Sequence, residues 1–395
     1  MALTADVVVA GGGVIGTAIA WRASLAGLDV ILVDPGCGEA ASLVAAGMLA
    51  PASESLLGEE ALLALNLLAA ERFAPFVGEL EEAAGLTVGL RREGTLAVAF
   101  DAADHAALVR LTAFRRSLGL DVTELDGRSC RRLEPFLVPD VRGGFLFESD
   151  WSVDNRRYLT ALRQAMRAAG ARAVSGRVTE VRSHDGQVTG VQLAADGPTA
   201  AVDGAAIECA AVVVAAGSSS AAIAGVPGPL RGAVRPVKGQ LLRLRHPDGM
   251  PPVLGRTVRA LVRGSDVYLV PRAAGEIVLG ATSEERGPDR TVTAGAVHDL
   301  LRDALAVLPV LSELILAETC AGLRPGTSDN GPIVGETDVT GLLMATGHYR
   351  NGILLSPLTA DAVAALLTGQ RPGPQWEPFA PGRFAPGRLA RVVTP

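Results

Sequence analysis

Hydrophobic positions come along this 395-residue chain in short blocks that end on glycine. Residues 5–10, Ala-Asp-Val-Val-Val-Ala, are a β-branched run with little polar alternation, the pattern of a strand covered on both faces. The run stops at Gly11, Gly12 and Gly13. Residues 14–26 then predict a helix, and residues 29–34, Asp-Val-Ile-Leu-Val-Asp, predict a second strand. Strand, glycine turn, helix and strand make a βαβ unit. A second cluster lies at 171–217, with a hairpin signal at Asp185-Gly186 and a buried run at 209–217, Cys-Ala-Ala-Val-Val-Val-Ala-Ala-Gly. A third begins at 341–346, Gly-Leu-Leu-Met-Ala-Thr, and continues through a glycine-flanked loop at 347–352 into a helical pattern reaching about residue 367. Each cluster has a strand entering a helix or loop at glycine, and the three are expected to share one sheet.

Two stretches of different character separate them. The second is rich in Val and Arg, with strand-like runs at 240–244, 267–270 and 277–280. The expected organisation is a discontinuous first domain from 1–85, 151–230 and 319–370, and a second domain from 86–150 and 231–318. The segment 371–395, rich in Pro, Gly and Arg, reads as an extended C-terminal tail.

Composition narrows the function. Apolar residues make up 49% of the chain, enough for a large core, and a net charge of −6 argues against a nucleic-acid partner. Alanine and arginine are abundant and lysine is almost absent. The five histidines have no metal-ligand spacing, and the four cysteines, Cys37, Cys130, Cys209 and Cys320, form no CxxC pair. No metal site is expected, and the thiols fit a reducing compartment. Asp6 interrupts the first apolar run, so a signal peptide is not expected, and no apolar run approaches the roughly 20 residues of a membrane span. The expectation is a cytoplasmic protein without a membrane partner.

Gly11-Gly12-Gly13-Val14-Ile15-Gly16 has G-x-G-x-x-G spacing directly after the first strand. The three spaced glycines serve a tight turn, close backbone approach to a pyrophosphate, and close helix-to-strand packing. The helix N-terminus behind them offers N–H groups and a positive dipole end to phosphate. Asp34, 18 residues past Gly16, is placed to accept from a ribose hydroxyl and would repel a 2′-phosphate. In a βαβ setting this pattern points to an adenine dinucleotide, with FAD and NAD both open.

Three further segments decide between them: 45–51, Ala-Ala-Gly-Met-Leu-Ala-Pro; 322–335, Gly-Leu-Arg-Pro-Gly-Thr-Ser-Asp-Asn-Gly-Pro-Ile-Val-Gly; and 346–357, Thr-Gly-His-Tyr-Arg-Asn-Gly-Ile-Leu-Leu-Ser-Pro. With the N-terminal glycines, these resemble the glycine oxidases of thiamine biosynthesis, within the D-amino-acid oxidase superfamily. The resemblance covers the chain from end to end, thinning at 100–150 and in the tail. It implies an α/β protein with a Rossmann-like FAD-binding domain and an inserted α+β substrate domain built on a mixed sheet. It also implies non-covalent FAD. The position where related sarcosine oxidases carry a flavin-linked cysteine falls on Gly322, two residues from Cys320.

Carried over position by position, the resemblance assigns Arg324 to the substrate carboxylate, Tyr268 to a supporting hydroxyl, Arg350 to the edge of flavin and substrate, and Met48 to the site wall. The cofactor would meet Gly11, Gly13, Val14, Ile15, Gly16 and Asp34 at its ADP half, with Val178 on the adenine side. Ser42, Ala46, Gly47 and Met48 would border it from the second segment, and Ala216 and Gly217 from the run at 209–217. Gly322 and Arg324, with His348, Tyr349, Arg350, Asn351, Gly352 and Ile353, would border its ring system. Departures fall at Ser283, where a relative carries methionine, at Asp266, near a relative's histidine, and at 40–43, which are poor in hydroxyls.

The chemistry implied is hydride transfer from an amino-acid α-carbon to flavin, with protein groups binding and orienting the substrate. A carboxylate in an apolar pocket calls for a guanidinium, and Arg324 sits between Leu323 and Pro325 where an unpartnered charge is costly. The competing reading pairs it with Asp329 or Glu318. For Tyr268 the competing reading is a core tyrosine, for Arg350 a loop cap, and for His348 a packed or backbone-bonded histidine. No general base is needed if the amine enters neutral, and the helix opening near Gly352 would turn its positive end toward the flavin pyrimidine ring. By resemblance, dioxygen is the electron acceptor, the products are imine or glyoxylate, ammonia and hydrogen peroxide, thiazole synthase is a partner, and assembly is a homo-oligomer, a tetramer. A D-amino-acid or sarcosine oxidase or dehydrogenase, an NAD-dependent dehydrogenase, and a flavin-binding scaffold are the alternatives.

Overall fold

In the strand Leu3–Ala10, neighbouring side chains point to opposite faces, and over Val7–Ala10 both faces are covered. Val7 and Val9 join an apolar cluster with Trp21, Phe73, Phe76 and Tyr158. Val8 and Ala10 join a second cluster with Val212, Val214 and Leu342. That double burial is why the sequence shows a continuous apolar run instead of alternation. The computed structural model describes residues 3–36, 41–194 and 204–385.

Leu3–Ala10 is central in an eight-stranded sheet, parallel to Val30–Asp34 on one side and to Ala206–Val214 on the other. Arg172–Ser175 extends one edge, and Leu342–Thr346 with Ile333–Glu336 the other. The ribbon Arg177–His184 and Gln187–Ala194 branches from Ala206–Val214. The helices Val14–Leu25, Glu60–Ala84, Asn155–Ala168 and Gly352–Leu367 pack together on one face.

The second sheet also has eight strands, in the order Ile315–Gly326, Arg235–Arg245, Glu276–Gly280, Ser265–Pro271, Thr257–Val262, Thr95–Ala99, Gly143–Phe147, Thr123–Asp126. Thr257–Val262 runs parallel to Thr95–Ala99 and the other pairs are antiparallel, so the sheet is mixed. The helix Ala294–Val307 covers one face through Leu300, Ala304 and Val307.

Three expectations change. The boundary placed at 319 cuts through Ile315–Gly326, which pairs as a unit with Arg235–Arg245, from Arg245↔Ile315 to Val237↔Arg324 and Arg235↔Gly326. Residues 319–326 therefore lie in the second sheet. The tail is not an extended strap as far as it is described: 3-10 turns at Pro374–Phe379 and Pro381–Phe384 bury Trp376, Phe379 and Phe384. Residues 386–395 lie outside the described residues. Finally, Glu60–Ala84, at 25 residues, is long and apolar enough to cross a membrane. Here Leu65, Phe73, Phe76 and Leu80 of that helix are taken up by the core, which accounts for its apolar content.

Phe76 is fully buried, with its ring edge-on to Trp21 at 5.2 Å between centroids. Truncating it leaves a cavity under the first sheet. Phe76→Ala is expected to lower unfolding free energy by about 3–5 kcal/mol in chemical denaturation; a loss below about 1 kcal/mol would show that this helix bears little of the core.

Candidate active site

A cavity of about 520 Å³ runs between the two sheets, and its wall includes nearly every residue singled out from the sequence. At one end are Gly11, Gly13, Val14, Ile15, Asp34 and Val178, and toward the middle Ser42, Ala46, Gly47, Met48, Ala216 and Gly217. At the other end are Tyr268, Gly322, Arg324, His348, Tyr349, Arg350, Gly352 and Ile353. Gly16 and Asn351 are not on the wall. Gly16 is instead a packing glycine, since a Cβ there would lie 1.9 Å from the Gly11 carbonyl oxygen. Asn351 is the N-cap of Gly352–Leu367.

The glycine turn is built for close approach. Gly11 has φ +113°, and a Cβ on it would sit 2.5 Å from the Ala215 carbonyl oxygen. Asp34 Oδ2 accepts from the Gly12 N–H at 2.7 Å and Oδ1 from the Gly36 N–H at 2.8 Å, so the carboxylate expected at a ribose also braces the turn. Ser42 Oγ accepts from the Val14 N–H at 3.1 Å at the start of the helix, tying the second segment to the first. The trough of glycine backbone, the helix N-terminus behind it and the carboxylate at the strand end fit an adenine dinucleotide. The far half also fits a flavin. Gly352–Leu367 opens onto the cavity with no side-chain cap on its first N–H groups, a positive end suited to a ring carrying negative charge.

Two glycines form the floor at the opposite end. A Cβ on Gly239 would meet the Arg324 guanidinium at 2.4 Å, and one on Gly280 would meet the Tyr268 hydroxyl at 2.5 Å. Arg324 thus lies across Arg235–Arg245, where Nη1 donates to the Thr282 carbonyl at 3.1 Å and to the Lys238 carbonyl at 3.5 Å. The carboxylates proposed as structural partners are committed elsewhere, Glu318 to Arg156 at 2.7 Å and Asp329 to Arg383 at 2.9 Å. Among the described residues, no carboxylate forms an ion pair with Arg324. Burial pushes the Tyr268 phenol up, and the neighbouring Arg324 charge pulls it part of the way back.

His348 is buried, its Nε2 3.0 Å from Thr359 Oγ1, and burial lowers its imidazole to about 3. It is neutral and bonded into the helix Gly352–Leu367. Arg350 is exposed, with its guanidinium over the Tyr349 ring at 5.1 Å. Met48 is half-buried in a two-residue strand paired to Trp151–Ser152. Gly47, at φ +72°, passes so close to Val153 that a Cβ would lie 2.1 Å from its carbonyl oxygen. Gly322 faces Val44, while Cys320 is absent from the cavity wall and its thiol is pushed by burial up to about 11, far from a reactive thiolate.

The sequence reading missed a charged group on the same wall. Arg259 donates to Glu54 at 2.7 Å and to Asp266 at 2.5 Å, with its side chain only 12% exposed. Its register opposite Tyr268 was the available signal, since residues paired across two strands share a face. The segment leading to Glu54 is anchored by the buried Asp150, whose oxygens accept from the Ala52 N–H at 3.0 Å and the Ser53 N–H at 2.8 Å.

Comparison with known proteins agrees with this geometry. Residues 6–366 match the family described as FAD dependent oxidoreductase, DAO. The chain is 34% identical to a glycine oxidase of Geobacillus kaustophilus over 95% of this chain and 96% of that one. The crystal structure of glycine oxidase from Geobacillus kaustophilus superposes with a TM-score of 0.85 at 32% identity, covering 96% of this chain and 98% of the other. The bifunctional protein ThiO/ThiG of Synechocystis sp. is 34% identical over 97% of this chain, which covers 55% of that protein. The chain therefore spans about half the length of the bifunctional relatives it matches.

Two outcomes follow from this geometry. Gly16→Ala should purify with less than about a tenth of the wild-type bound flavin, read by visible absorbance, because the new methyl cannot coexist with the Gly11 carbonyl. Asp150 is raised by burial to about 6 from a reference of 3.8. Its stabilising contribution is complete below about pH 4 and is lost as pH rises through about 6, because the fold holds the proton more tightly than the unfolded chain. Relative to Asp150→Asn, wild-type unfolding free energy should fall by on the order of 2–3 kcal/mol across that window; parallel profiles for the two proteins would refute the assignment.

Proposed function

Because the chain belongs to the DAO family of FAD-dependent oxidoreductases, we propose that it oxidises glycine, and with it sarcosine or small D-amino acids, at the α-carbon. The observation that carries the substrate reading is Arg324, a guanidinium held by two backbone carbonyls at the end of a largely apolar cavity, with no carboxylate partner among the described residues. Its free donors match a substrate carboxylate in bidentate fashion, and a low-dielectric wall strengthens that pair.

FAD, when bound, supplies the two-electron acceptor for the hydrogen leaving the α-carbon. The chain's own residues bind and aim. Arg324 takes the carboxylate, the Tyr268 hydroxyl donates a second hydrogen bond to it, and Met48 limits the space beside the α-carbon. Arg350 borders the mouth, and the positive end of Gly352–Leu367 faces the ring system. His348, bonded to Thr359 and lowered by burial to about 3, is too weak a proton acceptor to serve as a base, so the amine enters in its neutral form without a side-chain base.

Dioxygen is then the acceptor and hydrogen peroxide is released, and the imine either hydrolyses to glyoxylate and ammonia or passes intact to thiazole assembly for thiamine. The bifunctional relatives, which extend well beyond the matched region, favour thiazole synthase as a partner. We place the protein in the cytoplasm as a homo-oligomer with non-covalently held FAD; Gly322 at the expected cysteine position and the absence of Cys320 from the cavity wall support the last point.

Glycine added to the purified yellow protein without oxygen should bleach the flavin, and air should restore the colour with release of peroxide. A flavin that stays yellow with glycine, sarcosine and D-alanine would overturn the substrate reading. Arg324→Ala is expected to retain FAD and lose at least about a hundredfold in kcat/KM for glycine, near 2.7 kcal/mol. Unchanged kinetics in that variant would remove Arg324 from the substrate.

A further inference from the structure

The chain contains one lysine, Lys238, and its side chain is fully buried. It lies on Arg235–Arg245, on the face opposite Gly239 and the cavity, with Nζ 2.6 Å from Asp289 Oδ2. Asp289 belongs to the segment 281–293, which follows Glu276–Gly280 and places Ala281, Thr282, Ser283 and Arg290 on the cavity wall. The hydrogen bond from Lys238 holds the Asp289 carboxyl well below the usual range, so Asp289 is a carboxylate.

Two strand residues fasten this segment. Lys238 and Glu284 exchange backbone hydrogen bonds at 2.8 and 2.9 Å. Two positions along on the same face, Gln240 accepts from the Thr293 N–H at 2.8 Å and donates to Glu284 at 2.7 Å, and its own N–H reaches Thr282 Oγ1 at 3.0 Å. Asp289 Oδ1 accepts from both the N–H and the hydroxyl of Thr291, which shapes the turn that delivers Oδ2 to the ammonium. The fastening reaches the substrate end directly, because the Thr282 and Lys238 carbonyls are the two acceptors of Arg324.

We propose that Lys238 is a positioning residue: its ion pair with Asp289 clamps the segment 281–293 over the substrate end of the cavity and so fixes the carbonyl against which Arg324 is aimed. The proposal rests on the carboxylate-binding role of Arg324. The segment is otherwise exposed at Glu285, Arg286, Gly287 and Pro288, and its other charge contact with the strand, Arg235–Glu285, is exposed too, so the buried Lys238 ammonium facing a part-exposed Asp289 supplies what packing does not. Removing one partner of such a pair leaves the other buried and uncompensated, which drives the segment open.

The lone lysine provides its own reporter. Acylation by an N-hydroxysuccinimide ester, mapped by mass spectrometry, distinguishes Lys238 from the terminal amine and requires the segment to open. In the FAD-loaded wild type, Lys238 should label slowly, and more slowly still with saturating glycolate, which carries the carboxylate and a hydroxyl in place of the amine. In Asp289→Asn, with circular dichroism and flavin content unchanged, labelling should rise at least about tenfold. KM for glycine should rise about tenfold while kcat falls less than about threefold, and Asp289→Glu should recover most of both. Wild-type labelling of Lys238 as fast as the terminal amine, or Asp289→Asn labelling at the wild-type rate, would overturn the clamp. Glycolate binding is followed separately by its perturbation of the flavin spectrum. Failure of glycolate and glycine to bind would count against the substrate reading, while the labelling difference would still decide the clamp.

Discussion

A guanidinium without a counter-charge is the constraint that organises the substrate end of this molecule. Arg324 keeps its charge in a largely apolar cavity only because backbone carbonyls receive its N–H groups and its remaining donors face space that a ligand can fill. Providing those carbonyls takes three stretches of chain in register: its own strand, the neighbouring Arg235–Arg245, and the segment that begins at Thr282. Gly239 belongs to the same requirement, since any side chain there would occupy the volume of the guanidinium. Positive charge is therefore stored before substrate arrives, which lowers the reorganisation needed on binding.

A second charge group on the same wall solves the opposite problem. Arg259 is neutralised twice, by Glu54 and Asp266, so it presents little net positive charge to a ligand even though it lies close to Tyr268. One arginine is left available and another is consumed, and the difference rests on which carboxylates the fold brings near. On the function proposed above, this division favours an anionic substrate at Arg324 over Arg259.

The parts of the molecule legible from sequence are those whose cause is local. The βαβ unit shows because a doubly buried strand must be continuously apolar and because the turn needs glycine at φ positions other residues avoid. Arg324 and Tyr268 were found through resemblance to a family, and their apolar flanks agreed with it. Arg259 with Glu54 was not found, because those residues are separated by 205 positions and no local pattern signals their meeting. Gly280 reads as an ordinary strand residue and Gly239 falls just before a strand-like run, since the volume they leave is filled from other side chains. The division at 319 failed for a related reason: hydrophobicity marks where a strand is, and only register shows which sheet it joins. The tail was read from its Pro and Gly content, which says nothing of where Trp376 and Phe379 dock.

The interleaving of the two sheets also bears on how the chain acquires its structure during synthesis. Leu3–Ala10 is made well before its neighbour Ala206–Val214, which comes some two hundred residues later. At typical translation speeds that strand waits roughly 10–40 s with one apolar edge unpaired. Val7, Val8 and Val9 thus lie beside an unpaired edge for about half the time these 395 residues are being made. An early-made strand thus waits on a partner made much later, and the yield of folded protein depends on how well that open edge is shielded in the interval.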